Sequence, residues 1–392
     1  MKTSKPLLSI AVILLVSLAC NALQSVFATP TPIPTSTPIP PTSTATPIPF
    51  TETPLPSPTV ESLSLDDLPS RIVFSMFAQT GVYIHTVDAD GQNEERLTDN
   101  DCVAALPIWS VDGSMIAYYC YASDKIMLWV MNQDGSDAHS VAKFPDLILL
   151  RWSPDNQHIV YHAPQPNGME NDIYVLDIAT GKSVNLTKKS TVWDAFPNWS
   201  PSGDRIVFVS DRAENGKALD DVWVMNADGS DQVNLTNNGN DWEDDFPAWS
   251  PDGNSIAFFR SALFEPDEGG PAGLWVMEAD GGNPRLVTAI DGYRAGGAPV
   301  WSPDGKYLAY AFELDDVEEV WVVPADGGDP VNVSNMRGRK SHISWSPDSK
   351  ALIFTNDNDE EDTLQIFIAL PSGLDTRPLL EYEKYGYGDW AP

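Results

Sequence analysis

Phe246-Pro247-Ala248-Trp249-Ser250-Pro251-Asp252-Gly253, followed by Ser255-Ile256-Ala257-Phe258-Phe259, decides the fold. Ser250-Pro251-Asp252-Gly253 carries the residues of a type I turn with a following bulge. Proline presets φ at the second position, and glycine supplies the left-handed conformation after aspartate. Apolar alternating runs on both sides make the stretch a hairpin. Variants of its Trp-Ser-Pro-Asp-Gly core recur at Trp109, Trp152, Trp199, Trp301 and Trp345, with a stub at Trp390-Ala391-Pro392. A hairpin that returns about every 47 residues belongs to an array.

From Arg71 onward one grammar repeats. A strand such as Arg205-Ile206-Val207-Phe208-Val209 leads through a variable loop to a second strand, Asp221-Val222-Trp223-Val224-Met225. The turn Asn226-Ala227-Asp228-Gly229 follows, then a short strand ending at Asn234-Leu235-Thr236, another variable loop, and the strand into the next Trp. Four antiparallel strands per unit make a propeller blade. Second strands occur at Val82-Tyr83-Ile84, Leu128-Trp129-Val130, Ile173-Tyr174-Val175, Val222-Trp223-Val224, Leu274-Trp275-Val276, Val320-Trp321-Val322 and Ile366-Phe367-Ile368, which predicts seven blades. The first unit lacks an inner strand and the last Trp is spare. The expected fold is therefore all-β, a seven-bladed β-propeller of four-stranded antiparallel blades. Its ring is closed by the C-terminal strand at Gly388-Asp389-Trp390, which removes exposed edges.

Runs such as Leu274-Trp275-Val276-Met277-Glu278-Ala279-Asp280-Gly281-Gly282-Asn283, together with Trp-Ser-Pro-Asp-Gly, resemble the WD40-like (PD40) repeats of the TolB β-propeller family over residues 71–392. The resemblance implies a propeller and a protein partner. TolB itself has six blades and an additional N-terminal α/β domain, so a role in the Tol envelope system is not carried over. Related repeats serve in prolyl oligopeptidase-type peptidases, which need a hydrolase domain, and in oligogalacturonate lyases, which need a metal-binding His cluster. Neither is assembled from the residues here.

The N-terminus gives an address. Lys2 and Lys5 precede an apolar run, Leu7 to Ala19, too short for a comfortable membrane span and suited to a signal segment. Ser17-Leu18-Ala19-Cys20-Asn21 resembles a lipobox of bacterial lipoproteins, with the residues usual at the first two positions in swapped order. The resemblance implies a signal peptide over 1–19 and lipid on Cys20; two or more acyl chains make a stable anchor. An ordinary secretory signal and an uncut anchor are the alternatives, and all three place the rest outside the cytoplasm. Residues 20–70 are then a lipid-anchored Thr/Pro-rich linker, a disordered stalk stiffened by polyproline II and on the order of 100 Å long.

Net charge is −33, from 23 Lys and Arg against 56 Asp and Glu. That argues against nucleic acid and against attraction to anionic lipid, leaving the N-terminal anchor as the only membrane contact. The repetitive turns lie on one face of the disc and the variable loops on the other, where binding residues concentrate. Candidate binding residues there are Trp193, Asp194, Asp241, Trp242, Glu243, Asp244, Asp245, Tyr293, Arg294, Arg339 and Tyr385. Aromatics at the funnel mouth suit stacking on sugar or anchoring a peptide. Trp242-Glu243-Asp244-Asp245 combines an aromatic with three carboxylates. No cofactor is expected; calcium on these carboxylates is chemically open, although the Asp-x-Asp-x-Asp-Gly spacing is absent. The five histidines form no zinc motif, and no nucleophile elbow or phosphate loop is present. No catalytic residue is assigned. Cys102 and Cys120 flank the hairpin turn at Val111-Asp112-Gly113 and are expected to meet in a disulfide in an oxidising compartment.

The expected function is an envelope-anchored, non-catalytic binding propeller for a macromolecule, a protein by the family resemblance. The alternative is recognition or processing of an envelope or extracellular glycan; a purely structural envelope module is a third possibility.

Overall fold

The computed structural model describes residues 71–99, 102–165, 170–188, 192–212, 219–237, 242–262, 271–290, 297–314, 317–381 and 384–392. The signal segment, Cys20, the Thr/Pro linker, Asp241, Tyr293 and Arg294 lie outside the described residues. The chain divides into two units, Met1–Ser64 and Leu65–Pro392, and every described strand belongs to the second.

Alternating apolar runs and tight turns produce seven four-stranded sheets. In blade 5 the strands Trp242–Trp249, Ser255–Ala262, Gly273–Glu278 and Arg285–Ala289 pair antiparallel in chain order. The inner strands of blades 2, 3, 4, 6 and 7 are Val103–Trp109, Arg151–Trp152, Asp194–Trp199, Val300–Trp301 and Arg339–Trp345. Blade 1 takes its inner strand from the far end of the chain: Tyr385–Trp390 pairs with Arg71–Ala78 through Ile72↔Trp390 and Val73↔Asp389. The spare Trp390 closes the ring.

The apolar interior consists of clusters between consecutive blades, and the repeated Trp sits in each. Trp249 packs among Val207, Val222 and Val224 of blade 4 and Ile256 and Phe258 of its own blade. Trp390 packs among Ile353 and Ile366 of blade 7 and Ile72 and Phe74 of blade 1. Each Trp thus docks on the blade before it. Two indoles also donate to a carbonyl on the inner strand one blade back: Trp301 to Ala248 at 3.1 Å and Trp345 to Val300 at 3.0 Å. On the turn face, Gly281 has φ +90°, and an added Cβ would lie 2.9 Å from the Leu235 carbonyl of blade 4. Glycine is required there both for its backbone and for close approach. The Asn-Leu-Thr ends are structural too, since Val222 N–H donates to Thr236 Oγ1 at 2.9 Å.

Five inner strands carry a bulge three residues before their Trp. Leu106, Phe196, Phe246, His342 and Tyr387 have φ of 55°, 50°, 53°, 53° and 58°, and strand register shifts at each. Bulges re-aim side chains. Here neighbouring bulge residues meet: Phe196 and Phe246 have ring centroids 4.4 Å apart, and His342 and Tyr387 4.9 Å apart. Meeting from adjacent blades, they line the axis. Their N–H groups are held by polar groups on the preceding blade, Leu106 N on Ser75 Oγ at 3.2 Å and Tyr387 N on Thr355 Oγ1 at 2.9 Å.

Trp249→Ala is expected to cost about 3–5 kcal/mol of unfolding free energy, as for large aromatic truncations in a core. The exposed Val184→Ala should change it by less than about 0.5 kcal/mol. Urea melts of both variants check this; a Trp249→Ala loss near that of Val184→Ala would contradict the docking role.

Candidate functional site

Strand connections on the loop face differ in span. Residues 79–80 and 123–124 are the tight connections of blades 1 and 2, whereas 211–220 and 263–272 are the long ones of blades 4 and 5. The variable side of the ring is therefore centred on blades 4 and 5.

Several residues expected to bind a ligand are instead part of the frame. Trp242 is 2% exposed and packs with Arg260, whose guanidinium lies 5.9 Å from its ring. Asp244 is fully buried and accepts from Arg260 Nε at 2.6 Å and Nη2 at 2.7 Å. Asp194 repeats the arrangement one blade earlier, with both carboxylate oxygens 3.0 Å from Arg212 Nη2. Burial raises the Asp194 pKa, against the opposing pull of Ser210 and Arg212. Tyr385 is fully buried; its hydroxyl accepts from Leu380 N–H at 2.7 Å and lies 2.8 Å from the Leu380 carbonyl. Arg339 pairs with Asp357 at 3.2 Å and Asp359 at 3.0 Å. Strand alternation explains the first two: Trp242 and Asp244 share the inward face, leaving Glu243 and Asp245 on the other.

Those two remain at the mouth, half-buried, and two residues from blade 4 join them. Asp244 N–H donates to the Asp220 carbonyl at 2.7 Å, tying the blade 4 loop to the blade 5 inner strand. Desolvation, then the charges of Glu243, Asp211 and Asp221, push the Asp220 carboxyl up to about 7. Asp245 is held well above the usual carboxylate range by desolvation and by Asp220, Glu243 and Asp244, with only the Phe246 N–H opposing. Desolvation raises Glu243 as well. Among the described residues none of Asp211, Asp220, Glu243 and Asp245 makes an ion pair. Beside them stand aromatic rings: Trp193 lies edge-on to Phe196 at 5.7 Å, and its backbone N–H donates to Asp211 Oδ1 at 2.7 Å. Among the described residues no group of three or more His, Cys, Asp or Glu is placed to hold a metal ion. Mutually repelling carboxylates beside aromatic faces have the chemistry that would suit an organic cation.

Cys102 and Cys120 are joined by a disulfide with Cα atoms 5.5 Å apart, tying the loop end of the blade 2 inner strand to its neighbour. Phe196, Phe246, Asp211 and Asp220 were not among the candidates. For the two Phe residues the signal is positional: the residue three before each Trp varies through Leu, Phe, Ala, His and Tyr while its frame repeats.

The raised Asp220 pKa has a stability consequence. Between its unfolded value near 3.8 and about 7, the native state holds a proton that the unfolded chain releases, so stability falls as pH rises through that window. Asp220→Asn should therefore raise Tm at pH 8 and leave it nearly unchanged at pH 4. A Tm difference independent of pH would contradict this.

The PD40 family model, described as TolB beta propeller domain, matches residues 68–260. An uncharacterised protein of Agrobacterium fabrum is 31% identical over 208 residues, 51% of this chain and 67% of its own length. The Tol-Pal system protein TolB of Bordetella pertussis is 27% identical over 144 residues, 37% of this chain. The match spans only 33% of that protein's length. Among solved structures, an oligogalacturonate lyase of Vibrio parahaemolyticus superposes with a TM-score of 0.61 at 13% identity, over 78% of this chain and 87% of that one. That likeness is one of fold alone. Repeats, seven closed blades and sequence relatives agree, and the chain belongs to the PD40 family of TolB-type β-propellers.

Proposed function

We propose that the propeller is the head of an envelope-anchored binding protein, which recognises a protein partner through a basic segment at the loop-face mouth of blades 4 and 5. The observation that carries this reading is the carboxylate set Asp211, Asp220, Glu243 and Asp245, which makes no ion pair among the described residues and stands beside Trp193, Phe196 and Phe246. Elsewhere on the same face charges neutralise one another, as in Arg337 with Glu360 and Lys384 with Asp362. A cationic side chain would relieve the repulsion that holds these carboxyls up and would meet aromatic faces as it does so. The relationship to TolB supports a protein partner and an extracytoplasmic address, and the Cys102–Cys120 disulfide suits an oxidising compartment. The binding role is non-catalytic. The glycan alternative is weakened because Trp242 and Tyr385 are buried.

Residues 1–19 act in this reading as a signal peptide, Cys20 carries the lipid, and 20–70 is the stalk that holds the propeller of residues 71–392 away from the membrane. Cys20→Ser should move the protein from the membrane to the soluble fraction on cell fractionation; retention in the membrane would count against the lipid anchor.

Affinity capture from intact envelope tests the partner. Glu243→Gln with Asp245→Asn should weaken recovery of the captured protein at least ten-fold, whereas the turn-face variant Asp134→Asn should not. Binding should strengthen as pH rises through about 7, where Asp220 gives up its proton. Equal recovery by both variants, or turnover of a polysaccharide by the protein, would overturn the reading.

A further inference from the structure

The residue before each inner-strand Trp forms a second level of the channel wall: Ile108, Arg151, Asn198, Ala248, Val300, Ser344 and Asp389. Contact between neighbours at this level is direct, since Ser344 Oγ donates to Asp389 Oδ1 at 2.8 Å. Asp389 Oδ2 accepts from Trp109 N–H at 2.9 Å, so both of its oxygens already have donors. Arg151 is different. It is exposed, and the hydrogen bond recorded for its guanidinium runs from Nη1 to the adjacent Leu150 carbonyl, at 3.2 Å. Among the described residues it has no ion pair, whereas Arg212, Arg260 and Arg339 each hold a carboxylate.

Its surroundings are those of a channel rather than of an outer surface. The charge of Arg151 bears on His342 of blade 7 and on Asp389 of blade 1, both across the ring from blade 3. Desolvation works against its own charged form, with Asp389 opposing. A guanidinium remains protonated regardless, and one that makes no ion pair among the described residues favours an anion with two coplanar oxygens. His342 does not compete, because burial and the Arg151 charge lower its pKa to about 4 and leave the ring neutral. On the next blade Asn198 stands at the same level, half-buried, with an amide able to donate. Two residues N-terminal to Arg151 is Leu149, 51% exposed, and Leu106, Phe196 and Phe246 continue that apolar level around the axis.

We propose that the channel at Arg151 receives an organic carboxylate, the C-terminal end of a partner segment entering from the loop-face mouth, with its last apolar side chain against Leu149 and Leu106. Arg151 takes the two carboxylate oxygens and Asn198 adds a donor. Entry from the mouth rests on the proposed function, but the carboxylate site itself does not. A basic residue upstream of the chain end would then face Glu243 and Asp245.

Calorimetric titration of the full chain in detergent, at low ionic strength, tests this with four probes. They are hydrocinnamate, its neutral amide, and a peptide ending in Lys-Ala-Ala-Leu with either a free or an amidated terminus. The acid and the free-ended peptide should bind saturably, with at least ten-fold loss for each amide and for Arg151→Gln. A thermal melt shows that Arg151→Gln is folded. The turn-face variant Asp134→Asn should leave hydrocinnamate binding unchanged, and because hydrocinnamate carries no cation for the mouth, its binding separates failure of the mouth from failure of this site. Tighter binding of the free-ended peptide than of hydrocinnamate supports a chain end as the source. Equal binding overturns the chain-end assignment and leaves a free small acid as the occupant. Acid and amide binding alike, or Arg151→Gln binding as wild type, overturns the site.

Discussion

The contact on which the structure depends is the docking of each inner-strand Trp onto the blade before it. A four-stranded blade has two apolar faces and cannot cover both alone. Trp109, Trp152, Trp199, Trp249, Trp301, Trp345 and Trp390 each lie in the cluster shared with the preceding blade. Such a rule has no natural first member, because blade 1 also needs a Trp to set against blade 7. Trp390 meets that need only if the last strand returns to Arg71–Ala78, and Asp389 fixes the return by bonding Ser344 of blade 7 and Trp109 of blade 2. Closure is a consequence of the interlock.

A frame locked in this way leaves few places for individuality. The turn face is held by glycine approaches such as Gly281 on Leu235, and its aspartates are committed to their own turns, as Asp252 is to Ser250 at 2.6 Å. Freedom remains at the bulged residue three before each Trp, at the residue immediately before it, and in the loops above. Bulky side chains at left-handed φ are uncommon and persist where the surroundings hold them. Here the preceding blade supplies that hold, and the result is a wall of Leu, Phe, His and Tyr around the axis with Arg151 at the next level. The electrostatics follow the same division. Of the carboxylates buried in the frame, Asp194 and Asp244 have arginine partners and Asp172 accepts from Gln165 and Asn185, whereas those at the mouth of blades 4 and 5 repel one another.

The fold was legible because turn chemistry and strand alternation agree in every repeat and because the spare Trp390 announced the closing strand. The site was legible only as a neighbourhood. Within Trp242-Glu243-Asp244-Asp245 the alternation of a strand sends two residues inward and two to the mouth, and the sequence does not say which pair. The buried partner of Asp244 is Arg260, on the neighbouring strand, and that of Asp194 is Arg212, so both acids read as free surface charges until the register was known. The bulges compound the difficulty, because each reverses the facing of the residues beyond it and brings Phe196 and Phe246 onto the axis. Asp220 joins the site from another blade. Its run with Asp221 marks a loop-face acidic cluster in the sequence, but nothing local sets it beside Glu243 and Asp245.

On the proposed function, the repeated Trp and turn residues build the ring and the unrepeated mouth of blades 4 and 5 does the binding. Hydrogen exchange of the propeller with its captured protein partner bound tests this directly. Protection is predicted to gain at Trp193–Phe196, Asp220 and Glu243–Phe246, with no change in the Ser-Pro-Asp-Gly turns at Ser200, Ser250 and Ser302. Protection confined to those turns, with the mouth unchanged, would contradict it.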